Sequence, residues 1–319
     1  DINLKGKASD VLLNGGKSES YAIVPDYYNG ILPKVVAKVG EKVKAGSVLM
    51  IDKNRPEIKF VSPVSGEVTA VNRGEKRKVL SIVVKPDAQI EYEEFGKKNV
   101  ASLQGAEVKE VLLNAGMWPF IKQRPYDIVA APLDTPRDIF VSAFYSAPLA
   151  PNFDFIVKGQ EADFQTGLNA LAKLTNGKVY VGVRSGSVVS GMKGVEIVEV
   201  EGPHPAANVG VQINHIKPVN KGEVVWTVNP ADVIVIGRLF NKGVADFSRM
   251  VAITGSETTE RGYVKTISGC TIKSLVNGKV LGQEHIRIIS GNVLTGTKVN
   301  MDGYLGAYDN QITVIPRRS

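Results

Sequence analysis

Residues 39–46 read VGEKVKAG and residues 62–66 read SPVSG, and these two segments decide the fold of the first part of the chain. Short runs of β-branched residues flank their glycines, as in strands that are joined by tight turns. Pro63 fixes an extended backbone, and Gly66 permits the turn that follows. Because the pattern occurs twice, we predict two halves that form a flattened β-sandwich.

A lysine lies where the hairpin tip of such a sandwich is expected. The glycines of residues 39–66 resemble those of the biotinyl/lipoyl carrier fold, in which the modified lysine follows an acidic residue at an exposed tip. Asp52 and Lys53 fall near that place, but Asn54-Arg55-Pro56 lengthens the tip and adds a proline. We therefore interpret Lys53 as an unmodified surface lysine.

The middle of the chain alternates helical and strand-like segments. A helix is expected to begin at Ser102 and to end near Gly116, and buried strands are predicted at residues 128–131, 139–143 and 179–183. Such alternation predicts a Rossmann-like layered sheet.

A further helix is predicted over residues 230–240. Asn229 is expected to be its N-cap and Pro230 its first residue, while Gly243 marks its end.

From residue 246 onward the chain returns to short strands. These are predicted at residues 249–253, 263–266 and 286–289, with a short helix near residues 272–276. A small β-grasp domain fits this order. We therefore predict an α/β multidomain chain with a biotinyl/lipoyl-like barrel-sandwich hybrid at residues 1–98, a Rossmann-like domain at 99–245 and a β-grasp domain at 246–319.

Composition argues against metal and cluster chemistry. The chain of 319 residues has one cysteine, Cys270, and three histidines. Iron–sulfur clusters and structural zinc sites normally need several thiolates, so we predict no metal site. The segment Gly202-Pro203-His204-Pro205 is interpreted as a rigid loop with a cis peptide rather than as a histidine proton donor.

The net charge of +7 favours an acidic partner. Basic residues are scattered rather than interleaved with aromatic ones, so no nucleic acid is expected. The apolar stretches are far shorter than the roughly 18 residues of a bilayer-spanning helix. Since the chain begins at Asp1 without an apolar leader, neither a signal peptide nor a membrane anchor is expected.

Three segments carry a family resemblance. They are AGMWPFIKQRPY at residues 115–126, EGPHPA at 201–206, and VWTVN leading into PADVIVIGRLF at 225–240. Together they resemble the NqrA family, which supplies one subunit of the Na+-translocating NADH:quinone reductases, over nearly the whole chain. More distant similarity is to the RnfC subunit of Rnf complexes and to the flavoprotein subunit of complex I. Members of the NqrA family usually continue into a C-terminal helical segment, so we expect the chain to be truncated before it.

The loop after the first helix bears on cofactor binding. In the flavoprotein relatives this loop is glycine-rich and cradles the FMN phosphate, whereas here it holds Trp118, Pro119 and Phe120. Bulky side chains prevent backbone amides from closing around a phosphate. We therefore predict that the chain binds no FMN, NADH or other redox cofactor. The resemblance implies that NADH, flavins, iron–sulfur centres and ubiquinone belong to the complex as a whole.

The resemblance also implies a function. It indicates a peripheral subunit on the cytoplasmic face of the bacterial inner membrane, in a complex that oxidises NADH, reduces quinone and exports Na+. The membrane-embedded flavin subunit is the chief expected partner, and no catalytic residues are predicted.

Contact with ubiquinone would need flat aromatic surfaces and polar donors in a largely apolar pocket. Two segments supply such side chains, and the candidate residues are Tyr27, Tyr28, Trp118, Phe120, Arg124 and Tyr126. Packing between domains is the interpretation that we favour for these aromatic residues. Contact with another subunit is a third interpretation of these aromatic residues.

Two other functions stay open. An electron-input subunit of the Rnf type would contain flavin, so a purified protein without flavin absorbance would argue against it. A freestanding β-grasp ligand-binding protein would be recovered apart from membrane flavoproteins.

Overall fold

The first part of the chain forms a sandwich of antiparallel sheets. The structure is a computed structural model that describes residues 4–318. The strands of this part are β1 (Leu12–Leu13), β2 (Tyr21–Ile23), β3 (Pro33–Val35), β4 (Lys42–Val43), β5 (Val48–Asp52), β6 (Lys59–Val61), β7 (Gly66–Arg73) and β8 (Val79–Pro86). One sheet has the order β2-β8-β7-β4 and the other the order β3-β5-β6. We call strands β2 to β8 the sandwich, and its architecture is the one predicted.

Gly66 is needed where β4, β7 and β8 come together. It pairs with Val43 on one side and with Pro86 on the other. Its φ is +155°, and a Cβ at this position would lie 1.8 Å from the carbonyl oxygen of Lys85. Glycine is therefore required by close backbone approach as well as by the dihedral angle.

The middle of the chain forms an α/β unit around a six-stranded sheet. Its elements are α1 (Gly105–Asn114), β9 (Ile121–Arg124), β10 (Ile128–Val129), β11 (Ile139–Ser142), α2 (Phe153–Val157), α3 (Glu161–Ala172), β12 (Val179–Val183), β13 (Glu196–Glu199), α4 (Val209–Ile216), β14 (Val225–Val228) and α5 (Pro230–Lys242). The strand order is β10-β9-β14-β11-β12-β13. Strands β14, β11, β12 and β13 are parallel, while β9 and β10 are antiparallel additions at one edge. The Rossmann-like prediction is confirmed for the parallel part.

The predicted start of one helix needs correction, and the predicted N-cap of another makes no side-chain hydrogen bond. Helix α1 begins at Gly105 rather than near Ser102, because the Glu107 carboxylate accepts a hydrogen bond from the backbone N–H of Gln104 at 3.0 Å. Helix α5 begins at Pro230 and ends before Gly243, as predicted. However, the side chain of Asn229 makes no capping hydrogen bond.

Helices α3 and α5 cross with their backbones in contact. A Cβ on Gly167 would lie 2.1 Å from the carbonyl oxygen of Val233, and a Cβ on Gly237 would lie 1.7 Å from that of Asp163. Each helix therefore presents a glycine to a backbone carbonyl of the other.

The last part of the chain forms a C-terminal unit. Its elements are β15 (Ser248–Thr254), β16 (Gly262–Ile267), α6 (Ile272–Val276), β17 (Ile286–Ser290), β18 (Thr297–Val299) and β19 (Gln311–Pro316). They form a six-stranded sheet of order β1-β16-β15-β19-β17-β18, in which β1 pairs in parallel with β16. The chain therefore contributes β1 to this sheet before it forms the sandwich. The domain boundaries predicted at residues 98 and 245 stay a prediction.

Short 3-10 helices complete the secondary structure, at Pro25–Tyr27, Glu75–Arg77, Val100–Ser102, Trp118–Phe120 and Gln283–His285. One apolar core runs through the sandwich, the α/β unit and the C-terminal unit. Within residues 4–318, no helix has the length and apolar character that crossing a bilayer requires.

Candidate functional site

The loop that carries Trp118 is folded into the core. Residues Trp118–Phe120 form one turn of 3-10 helix shortly after α1. Trp118 is completely buried, and its indole N–H donates to the carbonyl oxygen of Ala130 at 2.8 Å. Its ring meets Trp226 edge to face at a centroid distance of 5.3 Å. The indole therefore has a hydrogen-bond partner and no exposed face.

Tyr27, Tyr28 and Phe120 line one narrow cavity where the sandwich, the α/β unit and the C-terminal unit meet. We call this place the aromatic junction. Its other walls include Phe60, Val61, Pro119, Phe247, Gly269 and Leu305. The cavity measures about 50 Å³. A cavity that holds a benzene ring measures roughly 150 Å³, so a quinone headgroup would need the walls to move apart.

Tyr27 and Tyr28 of the junction are fixed by contacts with other residues of the chain. The Tyr27 hydroxyl donates to the carbonyl oxygen of Tyr304 at 2.8 Å. The Tyr28 ring lies edge to face with Phe60 and with Tyr308, at centroid distances of 4.8 and 5.7 Å. Burial raises the pKa of Tyr28 above its ordinary value, so its phenol stays neutral.

Arg124 and Tyr126 lie apart from this cavity. Arg124 ends β9, and its Nε is 3.5 Å from a carboxylate oxygen of Asp127. Tyr126 lies in the turn between β9 and β10 and is 82% exposed. The structure therefore divides the predicted residues into a buried group at the junction and a group at the turn after β9.

A buried ion pair beside the junction was not predicted. Arg249 of β15 donates to a carboxylate oxygen of Asp232, in the first turn of α5, at 3.0 Å, and both side chains are almost fully buried. Arg249 also donates to Ser268 Oγ at 2.7 Å and to Asn310 Oδ1 at 3.2 Å. Burial raises the pKa of Asp232, and this effect exceeds the opposing influence of Arg249. The pair ties the α/β unit to the C-terminal unit.

The place where a Rossmann-like sheet normally binds a ligand is filled with protein. Ligands bind at the carboxyl ends of the two strands beside which the strand order reverses, and here those strands are β11 and β14. Asn229, directly after β14, donates its side-chain amide to the carbonyl oxygen of Tyr308 at 3.4 Å. Tyr145, in the loop after β11, shares a hydrogen bond of 3.2 Å with Asn310. Residues 308–310 therefore cover this edge of the sheet.

Tyr308 links this edge to the Trp118 loop. Its hydroxyl donates to the carbonyl oxygen of Pro119 at 2.6 Å, and Lys122 Nζ lies 3.7 Å from the centroid of its ring. Sequence reasoning missed Tyr308, because no local pattern relates it to a residue 189 positions earlier.

Two other residues singled out from the sequence lie elsewhere. Lys53 is exposed at the sandwich tip. The neighbouring Asp52 is buried and bonds to Arg55, which also donates to the carbonyl oxygen of Gly30 at 3.1 Å. His204 Nδ1 lies 3.0 Å from Ser146 Oγ on the surface, and the peptide bond that follows His204 is cis. Among residues 4–318 no group of three potential ligands is arranged for a metal ion.

Comparison with known proteins gives matches along the chain. The NqrA N-terminal barrel-sandwich hybrid domain matches residues 1–87, the NqrA second alpha/beta domain matches residues 103–245, and the NQRA C-terminal domain matches residues 250–301. The NqrA subunit of the Na(+)-translocating NADH-quinone reductase from Neisseria meningitidis serogroup A is 35% identical over 320 residues, which cover 99% of this chain and 71% of that protein. The chain belongs to the NqrA family.

A second NqrA relative, from Hahella chejuensis, is 36% identical over 321 residues with the same coverage of 99% and 71%. The family resemblance and the fold class predicted from the sequence are thereby confirmed. Among solved structures, an air-oxidized NAD+-reducing nickel–iron hydrogenase overlaps 71% of this chain and 52% of its own, with a TM-score of 0.43 and 10% identity.

Proposed function

We propose that this NqrA chain serves as a peripheral subunit of a Na+-translocating NADH:quinone reductase on the cytoplasmic face of the bacterial inner membrane. The observation that carries the proposal is the alignment of 99% of the chain with NqrA subunits of such reductases. In this function the chain contributes to NADH oxidation, quinone reduction and Na+ export only as part of the complex. It has no catalytic residues of its own.

The chain itself is proposed to hold no redox cofactor. Two places where a Rossmann-like fold can grip a phosphate support this. The loop after α1 is filled by Trp118, which is completely buried. The edge beside α5 is covered by residues 308–310, and the first turn of that helix carries Asp232, which is paired with Arg249. Backbone amides at both places also donate within the chain, among them those of Met117 and Phe120 in the loop and of Asp232 in the helix.

We expect the purified chain to contain far less than one flavin per polypeptide, because both phosphate positions are filled. The measurement is flavin fluorescence after acid release, with mass spectrometry of the intact chain for covalently attached flavin. The purified whole complex is the positive control. Stoichiometric FMN in the isolated chain would contradict the proposal and favour an electron-input subunit of the Rnf type.

Exposed apolar side chains mark a surface for a partner subunit. They lie on residues 32–39 of the sandwich and residues 126–133 of the α/β unit, and they are Leu32, Val36, Val39, Tyr126 and Leu133. The two segments adjoin, since the N–H of Val129 donates to the carbonyl oxygen of Asn29 at 3.0 Å. Large apolar side chains exposed on two adjoining segments are typical of a surface that a partner protein covers. We assign this surface to the membrane-embedded flavin subunit. If the native chain is purified only without membrane flavoproteins, that result would favour a freestanding ligand-binding protein instead.

Quinone contact is proposed at the aromatic junction. We expect Phe120→Ala to raise the KM for ubiquinone in the assembled complex by about two- to tenfold, since an aromatic contact contributes about 0.5–1.5 kcal/mol. Phe144→Ala is the matched control, because Phe144 is as buried as Phe120 (8% and 9% exposed) but does not line the junction.

Arg124→Ala tests the second group of predicted residues in the same assay. A raised KM in this variant with no change in Phe120→Ala would move the quinone to the turn after β9. An unchanged KM in both variants, with normal assembly, would reject quinone binding by this chain.

A further inference from the structure

A second cleft, in the C-terminal unit, is lined by three lysines. It encloses about 530 Å³ between the segment that follows β1, helix α6 and the loop after β18. The lysines are Lys17, Lys273 and Lys279. Hydroxyl groups of serine, threonine and tyrosine residues line the same cleft.

Lys279 is the unusual member of this group. Only 6% of the residue is exposed, yet its ammonium group makes no hydrogen bond or ion pair with any residue in the described range 4–318. Its backbone is fixed on both sides, since its N–H donates to the carbonyl oxygen of Val276 at 2.9 Å and its carbonyl oxygen accepts from Thr259 at 2.7 Å. The fold therefore fixes the backbone from which the Lys279 side chain extends.

The ammonium group of Lys279 points toward Gly15, which also lines the cleft. A Cβ on Gly15 would lie 2.9 Å from Lys279 Nζ. Any side chain at residue 15 would therefore crowd this group, and glycine keeps it uncovered.

Lysines often bury the aliphatic stem while the ammonium group stays in contact with solvent. Lys279 follows this pattern, because the residue is largely buried and its ammonium group opens into the cleft. The other two lysines, Lys17 and Lys273, are exposed at the rim and add positive charge. Glu19 and Asp302 also line the cleft, but both are exposed and neither forms an ion pair with these lysines among the described residues. The ammonium group of Lys279 therefore faces the cleft without an ion-pair partner among residues 4–318, beside two further lysines.

We propose that this cleft binds a small oxyanion, namely the phosphate or carboxylate group of a soluble metabolite, with the ammonium of Lys279 as its central contact. The oxyanion accepts a charge-assisted hydrogen bond from Lys279. The hydroxyls of Ser20 and Tyr304 share one hydrogen bond, so one of the two keeps a proton that it can donate to the anion. The rim lysines attract the anion from solution.

The test is thermal unfolding of the purified chain in inorganic phosphate, in sodium acetate and in sodium chloride of equal ionic strength. We expect a saturable rise in Tm with phosphate or with acetate that chloride does not produce, because a ligand of the folded state alone raises stability. A response to phosphate indicates a phosphate-bearing ligand, and a response to acetate indicates a carboxylate. Chloride controls for general screening of charge.

Lys279→Met should weaken the binding of the active anion by about tenfold or more. Without anion we expect its stability to be close to that of the original chain, since methionine keeps the apolar stem that the fold buries. Lys298→Met is the matched control, because Lys298 is exposed on β18 outside the cleft. The double variant Lys17→Gln with Lys273→Gln tests the same cleft at exposed positions and should bind several-fold more weakly.

Three results would overturn the proposal. They are the absence of a saturable response to either oxyanion, an equal response in the original chain and in Lys279→Met, and unchanged affinity in the double rim variant.

Discussion

Gly237→Ala is expected to destabilise the chain by about 3 kcal/mol or more. At an open helical position the same change stabilises by about 1 kcal/mol, because alanine has the higher helix propensity. Here the added Cβ would lie 1.7 Å from the carbonyl oxygen of Asp163. That atom belongs to the backbone of α3 and cannot rotate away, so the two helices must separate and lose their packing. The free energy of unfolding in urea, followed by circular dichroism, measures the effect.

Gly210→Ala in α4 is the matched control. A Cβ there would meet only side-chain atoms, Asn208 Oδ1 at 3.2 Å and Arg124 Nη1 at 3.4 Å. These atoms can move, so we expect unfolding free energy that is unchanged or slightly higher. Similar behaviour of Gly237→Ala and Gly210→Ala would contradict backbone contact between α3 and α5.

Arg249→Met is expected to lower the free energy of unfolding by about 3–5 kcal/mol at neutral pH, because it leaves a buried carboxylate without its partner. Arg249 donates to Asp232 Oδ1, and the second carboxylate oxygen has no hydrogen-bond partner among the described residues. The substitution also removes the donors to Asn310 and Ser268. Methionine keeps much of the apolar volume, so the loss reports on the missing charge and hydrogen bonds rather than on a cavity.

The loss of unfolding free energy in Arg249→Met should depend on pH. Burial raises the pKa of Asp232, and loss of the guanidinium raises it further. The pKa of such an acid is higher in the folded than in the unfolded state. Its contribution to stability is fully present below the unfolded pKa, and it is lost as the pH rises through the folded pKa. The difference from the original chain is therefore expected to be smallest at acidic pH and largest at neutral pH. The double variant with Asp232→Asn should recover stability at neutral pH, whereas a deficit that is independent of pH would contradict a charge effect.

Short-range patterns predicted much of the fold correctly. Residues 179–183 were predicted as a strand, and β12 has these bounds. Pro230 and Gly243 mark the ends of α5 because their backbone preferences act within single residues. The predicted start of α1 was three residues too early. The Glu107 carboxylate accepts a hydrogen bond from the backbone N–H of Gln104, and this contact makes Gln104 the N-cap.

The candidate site was predicted only in part. Tyr27, Tyr28 and Phe120 were selected for their chemistry, and the fold brings them to one cavity. Arg124 and Tyr126 follow Phe120 closely in the chain but lie elsewhere. A strand advances about 3.3 Å per residue, so neighbours in sequence soon leave a shared site.

The sequence alone predicted the folds of the sandwich, the α/β unit and the C-terminal unit, and it predicted the family. This was possible because turns, strand patterns and helix ends depend on residues that are close in the chain. Other features needed the folded chain: Asp232 meets Arg249, Tyr308 covers the sheet edge, and Lys279 turns its ammonium group into a cleft. Burial and charge pairing depend on which surfaces pack together, and the surfaces that enclose these residues come from distant parts of the chain.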